Sequence, residues 1–256
     1  MRITAIFNLK GGVAKTTTAV NMAALLAAAH EKRVLVIDAD SQCNTSEFLG
    51  RDLHVSDLDT LATALRDEAD ALSCIQHSNL ANVDLLPASD ELMELDLSAI
   101  DGKKVNVNCL RHLRKALSSL YDYVIIDCPP CFTAASAAAL IAADDVLIPI
   151  KIDAFSLRGM ANITRQISNM KKINGKLTVA GLLPVMKYKS SAINVALDTL
   201  KNSKYKVFTG IRRTPKVDDM TFAQKPLIVS SPTSSATVDY RRFVDEYIAG
   251  GEHDGV

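Results

Sequence analysis

The sequence predicts an α/β fold in which a mostly parallel β-sheet is covered by helices on both faces. Short runs of apolar and β-branched residues alternate along the chain with longer segments of helical pattern. The short runs are apolar throughout, which is typical of parallel strands buried on both sides. The chain has 256 residues, 48% of them hydrophobic, and can bury such a sheet in one core. We therefore expect one domain over residues 1–249, followed by a frayed acidic tail over residues 250–256.

The first elements form a βαβ unit made of strand Ile3–Phe7, an alanine-rich helix Lys15–His30 and strand Val34–Ile37. Apolar runs predict further strands at Val83–Leu86, Tyr123–Ile126, Val146–Ile150, Val179–Val185 and Lys206–Phe208. Helical periodicity predicts further helices at Asn108–Leu120, Ala134–Ala143, Leu157–Lys172, Ala192–Lys201 and Thr237–Ala249. An acidic segment, Asp57–Ala71, reads as a helical excursion, and the Ser/Pro cluster Ser230–Ser235 reads as a loop.

Composition excludes several classes of protein. No apolar run approaches the roughly 18 residues that a membrane span needs, and the N-terminus lacks a signal-peptide pattern. We therefore expect a soluble, cytoplasmic protein. Its five cysteines do not form a disulfide framework, so reduced thiols are expected. Cys128 and Cys131 form a C-x-x-C, but a metal or redox role would need a second cysteine pair or nearby histidines.

Positive charge is concentrated in one segment, although the formal net charge is zero. Residues 171–216 contain eleven Lys or Arg and one acid, Asp198. Lys187 and Lys189 follow one predicted strand, and Arg212, Arg213 and Lys216 follow the next. A shared basic face at one edge of the sheet would attract the DNA backbone without reading its sequence. An ordinary solvated face is the alternative.

A phosphate-binding loop is predicted where the first strand meets the first helix. Residues 8–17 read NLKGGVAKTT, and small residues at such a junction let backbone N–H groups and the helix dipole face phosphate oxygens. Lys15 would bridge the β- and γ-phosphates of a nucleotide, and the Thr16 hydroxyl would bind Mg²⁺. The nucleotide-binding set predicted from this loop is Lys10, Gly11, Gly12, Val13, Ala14, Lys15, Thr16 and Thr17.

Carboxylates follow two other predicted strands. Asp38 and Asp40 come after the second strand, where open α/β sheets place their ligands. Asp127 closes the apolar run Tyr123–Ile126, which is the form of a Walker B strand, and would hold Mg²⁺, through water. The predicted metal-binding set is therefore Thr16, Asp38 and Asp127.

The loop departs from the plain phosphate-loop pattern, because Leu9 and Ala14 occupy the positions of its two end glycines. It resembles instead the deviant Walker A motif of the ParA/MinD superfamily, and the resemblance to ParA/Soj-type partition ATPases runs along nearly the whole chain. Ala14 departs from the commonest family sequence. A positive φ at this position would cost an alanine roughly 1–2 kcal/mol.

The resemblance implies roles that spacing alone does not give. Lys10 would be the signature lysine, which reaches across a dimer interface to the partner subunit's phosphates. Asp40 would orient the attacking water, and Asp38 would lie near the magnesium shell. Ser41 replaces the family's usual proline in this turn. The predicted catalytic residues are thus Asp40, Lys15 and Lys10.

The implied function is slow, switch-like hydrolysis of MgATP by a homodimer that binds double-stranded DNA non-specifically. A ParB-like centromere-binding protein would stimulate hydrolysis, and the protein would associate with the nucleoid. A MinD-like ATPase acting on membrane or protein cargo is the alternative, although the mixed charge of residues 240–248 argues against a membrane-binding helix. An electron-transfer ATPase like the nitrogenase iron protein would need Cys128 and Cys131 as cluster ligands, and their spacing fits poorly.

Overall fold

A computed structural model describes residues 1–50 and 58–251 of the chain. Seven strands form one sheet within these residues, in the order β3-β4-β2-β5-β1-β6-β7. The strands are β1 (Arg2–Ile6), β2 (Val34–Asp38), β3 (Gln76–His77), β4 (Val83–Leu86), β5 (Tyr123–Asp127), β6 (Asp145–Lys151) and β7 (Thr178–Val185). All pairings are parallel except that of the short edge strand β3 with β4, which confirms the predicted fold class.

The helices cover both faces of this sheet. They are α1 (Lys15–His30), α2 (Asn44–Leu49), α3 (Leu61–Leu65), α4 (Leu92–Ile100), α5 (Cys109–Leu120), α6 (Ala134–Ala142), α7 (Ala154–Lys171), α8 (Ser191–Lys201), α9 (Lys216–Ala223), α10 (Leu227–Ser230) and α11 (Ser235–Gly251). None of them is long and apolar enough to cross a membrane, as far as the described residues show.

The side chains of β2 alternate between two parts of the hydrophobic core, one on each face of the sheet. Leu35 and Ile37 pack into the core that includes α3 to α8, whereas Val34 and Val36 pack into the core with α1, α2 and α11. Successive side chains of a strand point to opposite faces, so an apolar strand needs a helical layer on each side. Helix α1 is buried along most of its length between the sheet and α11.

One predicted strand is wrong. Residues 206–208 are not a strand but make a single parallel bridge, between Val207 and Leu182 of β7. The Leu182 N–H donates to the Lys206 carbonyl (2.8 Å) and the Phe208 N–H donates to the Leu182 carbonyl (2.9 Å). The next donor in β7 would be the backbone of Pro184, which has no N–H. The ladder of hydrogen bonds therefore ends after this one bridge.

Smaller differences concern short elements. The predicted excursion Asp57–Ala71 contains only the helix α3, and Asp57 lies outside the described residues. The predicted loop Ser230–Ser235 shrinks because α10 ends at Ser230 and α11 begins at Ser235. Helix α11 continues to Gly251, two residues into the predicted tail, and residues 252–256 lie outside the description. Helices α2, α4, α9 and α10 and strand β3 were not predicted from the sequence.

Candidate functional site

The loop between β1 and α1 is anchored by a buried asparagine. The Asn8 side chain donates to the Pro149 carbonyl (2.7 Å) and accepts a hydrogen bond from the Lys10 N–H (2.9 Å). Gly12 and Ala14 both have left-handed backbone, with φ of 67° and 59°. Alternation of left-handed and ordinary residues bends a chain into a concave nest of N–H groups that binds anions. The loop therefore has the backbone form that a phosphate site requires.

Ala14 is the residue that precedes α1, and its side chain provides no cap hydrogen bond. The first N–H groups of a helix lack partners within the helix, so at α1 they are directed toward the loop cavity. A phosphate group would satisfy them and benefit from the helix dipole. The positive φ that the sequence analysis identified as costly for alanine is present.

Lys15 lies beneath the loop with only 7% of its surface exposed. Burial lowers the pKa of its ammonium group, while the nearby carboxylates of Asp127 and Asp40 raise it. Among the described residues, its Nζ atom has one hydrogen-bond acceptor, the Lys10 carbonyl, at the long distance of 3.4 Å. A buried ammonium with a single weak acceptor can bind phosphate oxygens with little rearrangement.

Lys10 lies on the outer side of the loop and is held within its own chain. Its Nζ atom lies 2.9 Å and 2.7 Å from the two carboxylate oxygens of Asp153, just after β6. Both side chains are partly exposed, at 36% and 28%. Asp153 was not anticipated from the sequence, because nothing in its local pattern marks it as the partner of a residue 143 positions away.

The strand register brings the predicted metal-binding residues together. Asp38 and Asp127 are paired residues of β2 and β5, and Asp127 also pairs with Ile6 at the end of β1. Asp127 Oδ2 accepts hydrogen bonds from Thr16 Oγ1 (2.6 Å) and Thr45 Oγ1 (2.7 Å). Thr45, in the first turn of α2, is a site residue that sequence reasoning missed.

The other oxygen of Asp127 tests whether these residues fit a metal. Asp127 Oδ1 is buried and has no hydrogen-bond partner within the described residues. An orphaned carboxylate oxygen is costly, and it lies beside a threonine hydroxyl and the phosphate loop. Hydrated Mg²⁺ takes oxygen ligands and retains several waters. The donor set therefore fits a magnesium ion held by Thr16 and, through water, by Asp127.

Asp38 is fully buried and its oxygens are already occupied. Oδ2 accepts from the Ser46 N–H (2.8 Å) and hydroxyl (2.7 Å), and Oδ1 accepts from the Asp40 N–H (3.1 Å). Burial, and then the charge of Asp127, raise the pKa of Asp38 to about 7. Asp38 thus holds the start of α2 and the backbone of Asp40 in place, and its membership of the metal-binding set stays a prediction.

Two neighbouring cavities meet at the loop. The first contains the phosphate loop from Gly11 to Thr17, together with Asp40, Gln42, Asn44, Pro130 and Met186. The second shares Ala14, Thr17 and Met186 with the first and is lined further by apolar side chains and by residues 211–215. Its position beside the phosphate loop suits the base and ribose of a nucleotide.

The two cysteines of the C-x-x-C differ in environment. Cys128 is buried and Cys131 is exposed, and both are free thiols. Burial raises the pKa of each thiol, and nearby carboxylates contribute in the same direction. Among the described residues, no group of three or more His, Cys, Asp or Glu could hold a metal ion.

Four of the five predicted DNA-binding residues line one groove. The groove is lined by Lys187, Lys189, Arg212 and Arg213, together with Tyr188 and with Ile193, Asn194 and Leu197 of α8. They meet because Lys187 and Arg212 form an isolated parallel bridge beyond the end of β7. Lys216 is not among the lining residues and pairs with Asp219 (2.8 Å) at the start of α9.

The pairing of Arg212 differs from that of its neighbours. Its guanidinium binds Asp239 of α11. Lys187 donates to the Gly210 carbonyl (3.3 Å). Within the described residues, no carboxylate forms an ion pair with Lys187, Lys189 or Arg213.

Comparison with known proteins agrees with the geometry. A family model described as an AAA domain matches residues 1–179. The sporulation initiation inhibitor protein Soj of Bacillus subtilis is 32% identical over 255 residues, covering 98% of this chain and 99% of Soj. The chromosome partitioning protein ParA of Caulobacter vibrioides is 32% identical over 262 residues, covering 97% and 94% of the two chains.

Solved structures resemble the whole chain. Apo McdA from Cyanothece has a TM-score of 0.83 at 26% identity, covering 97% of this chain and 99% of McdA. Cobyrinic acid a,c-diamide synthase from Mycobacterium smegmatis, solved with ADP and magnesium, has a TM-score of 0.82 at 26% identity, covering 99% and 96%. The cell division ATPase MinD of Pyrococcus furiosus has the same fold, with a TM-score of 0.77 at 22% identity, covering 97% and 98%.

The sequence relatives match nearly the full chain and the family model well over half of it. This chain therefore belongs to the ParA/Soj family of deviant Walker A P-loop ATPases.

Proposed function

We propose that residues 1–249 act as one ATP-driven switch that binds MgATP, dimerises around it and then binds double-stranded DNA without sequence preference. The observation that carries this proposal is that Thr16, next to the buried Lys15 of the phosphate loop, donates a hydrogen bond to Asp127, whose other carboxylate oxygen is orphaned among the described residues. Soj and ParA, named for sporulation control and chromosome partitioning, are relatives over nearly the whole chain. Both facts support a nucleotide switch in DNA segregation.

Some residues of the site would bind the phosphates and Mg²⁺, and another would orient the attacking water. Lys15 and the N–H groups of the loop would neutralise the phosphates, and Thr16 and Asp127 would hold Mg²⁺, which supplies charge stabilisation when bound. Asp40 lines the loop cavity, and its Oδ1 accepts from the Gln42 N–H (3.0 Å). From there it would orient the attacking water. No strong base is needed for this reaction, so slow turnover is expected.

Lys10 would act in the dimer. Its ion pair with Asp153 is only partly buried, and such pairs contribute little to stability. A bound partner's phosphate, with more charge and less water around it, would compete well for the ammonium group. We infer that Lys10 leaves Asp153 when two ATP-bound subunits associate.

The groove lined by Lys187, Lys189, Arg212 and Arg213, here called the basic groove, supports the DNA part of the proposal. Lys187, Lys189 and Arg213 bring three cations to one surface, and phosphate contacts of this kind bind DNA regardless of sequence. A ParB-like partner would stimulate hydrolysis, and DNA binding would place the protein on the nucleoid. The apolar side chains Tyr240, Phe243, Val244 and Tyr247 of α11 are buried in the core, which disfavours a membrane-binding role for this helix.

The test is to measure molecular mass and duplex DNA binding with ATP, ADP or no nucleotide. The double variant Lys189→Ala, Arg213→Ala should still dimerise with ATP but lose most DNA binding. The variant Lys201→Ala, Lys204→Ala removes the same charge from exposed positions outside the groove and should retain DNA binding. ATP-dependent dimers that ignore DNA at low salt would refute the DNA part and leave the nucleotide switch intact.

A further inference from the structure

Residues 206–213 run alongside β7 but are not held by a regular ladder. Two isolated bridges join this segment to β7 and to the residues just after it, Leu182 to Val207 and Lys187 to Arg212. The Ile211 N–H also donates to the Pro184 carbonyl of β7 (2.7 Å), and helix α11 supplies further contacts. The Thr209 N–H (2.8 Å) and hydroxyl both donate to the Glu246 carboxylate, so the middle of the segment is fixed by a side chain of α11.

Asp239 fixes the C-terminal part of the segment, at Arg212. Its carboxylate accepts three hydrogen bonds from Arg212, from the backbone N–H (2.9 Å), from Nε (2.8 Å) and from Nη2 (2.8 Å). Only 3% of Asp239 is exposed, whereas the Arg212 side chain is half exposed. Bidentate arginine–carboxylate pairs fix geometry as well as charge. The pair therefore holds the backbone at residue 212 in one position relative to α11.

That backbone forms part of the wall of the cavity lined by Ala14, Thr17, Met186 and residues 211–215, here called the nucleoside cavity. Residues 211–214 line the cavity together with Ala14 and Thr17 of the phosphate loop. Asp239 is not among the lining residues. The next residue of α11, Tyr240, does line the cavity, and its hydroxyl lies 3.2 Å from Thr18 Oγ1 in α1. Helix α11 thus connects the wall of the cavity with the helix that carries the phosphate loop.

We propose that Asp239 is a positioning residue for nucleotide binding, which acts through Arg212 on the wall of the nucleoside cavity. The inference rests on the proposed function, because it assumes that this cavity receives the nucleoside of ATP. It also gives Arg212 a different role from Lys189 and Arg213. The hydrogen-bonded pair of Arg212 and Asp239 is here called the clamp. Because Asp239 balances the charge of Arg212, Arg212 adds little to DNA binding.

The experiment compares Asp239→Asn with a matched control, Glu246→Gln. Both substitutions remove one carboxylate charge from α11 that holds the same segment, but Glu246 and Thr209 lie outside the lining of the nucleoside cavity. For Asp239→Asn, the Kd of a fluorescent ATP analogue and the KM for ATP should rise about tenfold, which is the scale of one charged hydrogen bond. The kcat at saturating ATP should stay within about twofold.

Thermal unfolding of the same variants separates positioning from general stability. Both are expected to lower the Tm, whereas Glu246→Gln should leave Kd and KM unchanged. Arg212→Lys keeps the ion pair without its bidentate geometry, so an intermediate Kd is expected, and it replaces Asp239→Asn if that variant does not fold. An unchanged Kd in folded Asp239→Asn or Arg212→Lys would overturn the proposal. Wild-type protein that binds no nucleotide would instead refute the proposed function itself.

Discussion

Ala14 is the residue at which local conformational preference and function conflict most directly. Its φ of 59° and ψ of 36° lie in the left-handed region, where the Cβ atom of an L-residue crowds the following carbonyl. The concave loop needs this conformation, because it turns the backbone into the start of α1. The fold therefore retains a residue that costs free energy at the phosphate site.

Ala14→Gly should raise the free energy of unfolding by roughly 0.5–1 kcal/mol, because relief of the left-handed strain exceeds the extra chain entropy of glycine. Ala28 provides the opposite case, since it is exposed in the last turns of α1. Ala28→Gly should lower the free energy of unfolding by about 1 kcal/mol. Urea unfolding of both variants measures the two signs. Destabilisation by both substitutions would show that Ala14 is not strained.

The buried carboxylates Asp38 and Asp127 make stability depend on pH. Burial raises the pKa of both groups, that of Asp38 to about 7, whereas in an unfolded chain an aspartate titrates near pH 4. Between these values the folded protein holds a proton that the unfolded chain has lost. By linkage, this contribution to the free energy of unfolding falls as the pH rises from about 4 to about 7.

We therefore expect metal-free protein to lose stability over this pH range and Asp38→Asn to reduce the slope. Urea unfolding in EDTA at several pH values measures it, with Asp198→Asn as a control at an exposed aspartate. Parallel pH curves for wild type and Asp38→Asn would contradict the assignment. Nucleotide with Mg²⁺ should oppose the effect, since a cation favours the ionised carboxylates.

At the scale of elements, the close approach of β7 and residues 206–213 depends on two glycines. A Cβ atom on Gly181, where φ is 153°, would lie 2.7 Å from the Lys206 carbonyl oxygen. A Cβ atom on Gly210 would collide with the Lys187 side chain and lie 2.9 Å from Pro184 Cβ. Backbone packed this closely leaves no room for a methyl group. The two glycines therefore determine how close residues 206–213 lie to β7.

Gly210→Ala should lower the free energy of unfolding by about 1–3 kcal/mol, the cost of overpacking a tight contact. Gly159→Ala is the matched control, because a Cβ atom at that helical position meets nothing within 4 Å. It should stabilise the protein by up to about 1 kcal/mol, in keeping with helix propensity. Similar effects of the two substitutions on chemical unfolding would show that residue 210 is not sterically restricted.

At the scale of the whole molecule, the basic groove and the nucleoside cavity share a wall. Arg212 and Arg213 line both, so nucleotide and DNA would contact opposite sides of the same short segment. Such an arrangement couples two sites only if each ligand favours the same conformation of that segment. The proposed switch requires that ATP and DNA favour the same conformation of this segment, so ATP should increase affinity for DNA, and DNA should increase affinity for ATP by the same factor.

The salt dependence of DNA binding tests the groove as a set of phosphate contacts. Each contact adds about 0.9 to the magnitude of the slope of log Kobs against log salt. Lys189→Ala, Arg213→Ala should therefore reduce that slope by roughly 2 in ATP-bound protein. Fluorescence anisotropy with a duplex of unrelated sequence provides the measurement. An unchanged slope would mean that these two side chains do not contact phosphates.

The sequence by itself determined the fold class, six of the seven strands found in the described residues and the position of the phosphate loop between β1 and α1. Apolar runs and helical periodicity are local signals, and a strand followed by GGVAKTT and a helix leaves few alternatives for residues 10–17. The position of Asp127 could also be predicted from the sequence, because a carboxylate that closes an apolar run marks the end of a buried strand. The predicted strand at residues 206–208 failed because its ladder depended on Pro184 of another strand.

Only the tertiary structure decided which distant groups meet. The register of β2 and β5 sets Asp38 beside Asp127, α2 brings Thr45 to that pair, and β6 brings Asp153 to Lys10. The clamp of Arg212 by Asp239 joins residues 27 positions apart in the chain. These contacts depend on strand order, register and helix packing. A local sequence pattern carries none of that information, so the chemistry of the site could be predicted from the sequence but its supporting contacts could not.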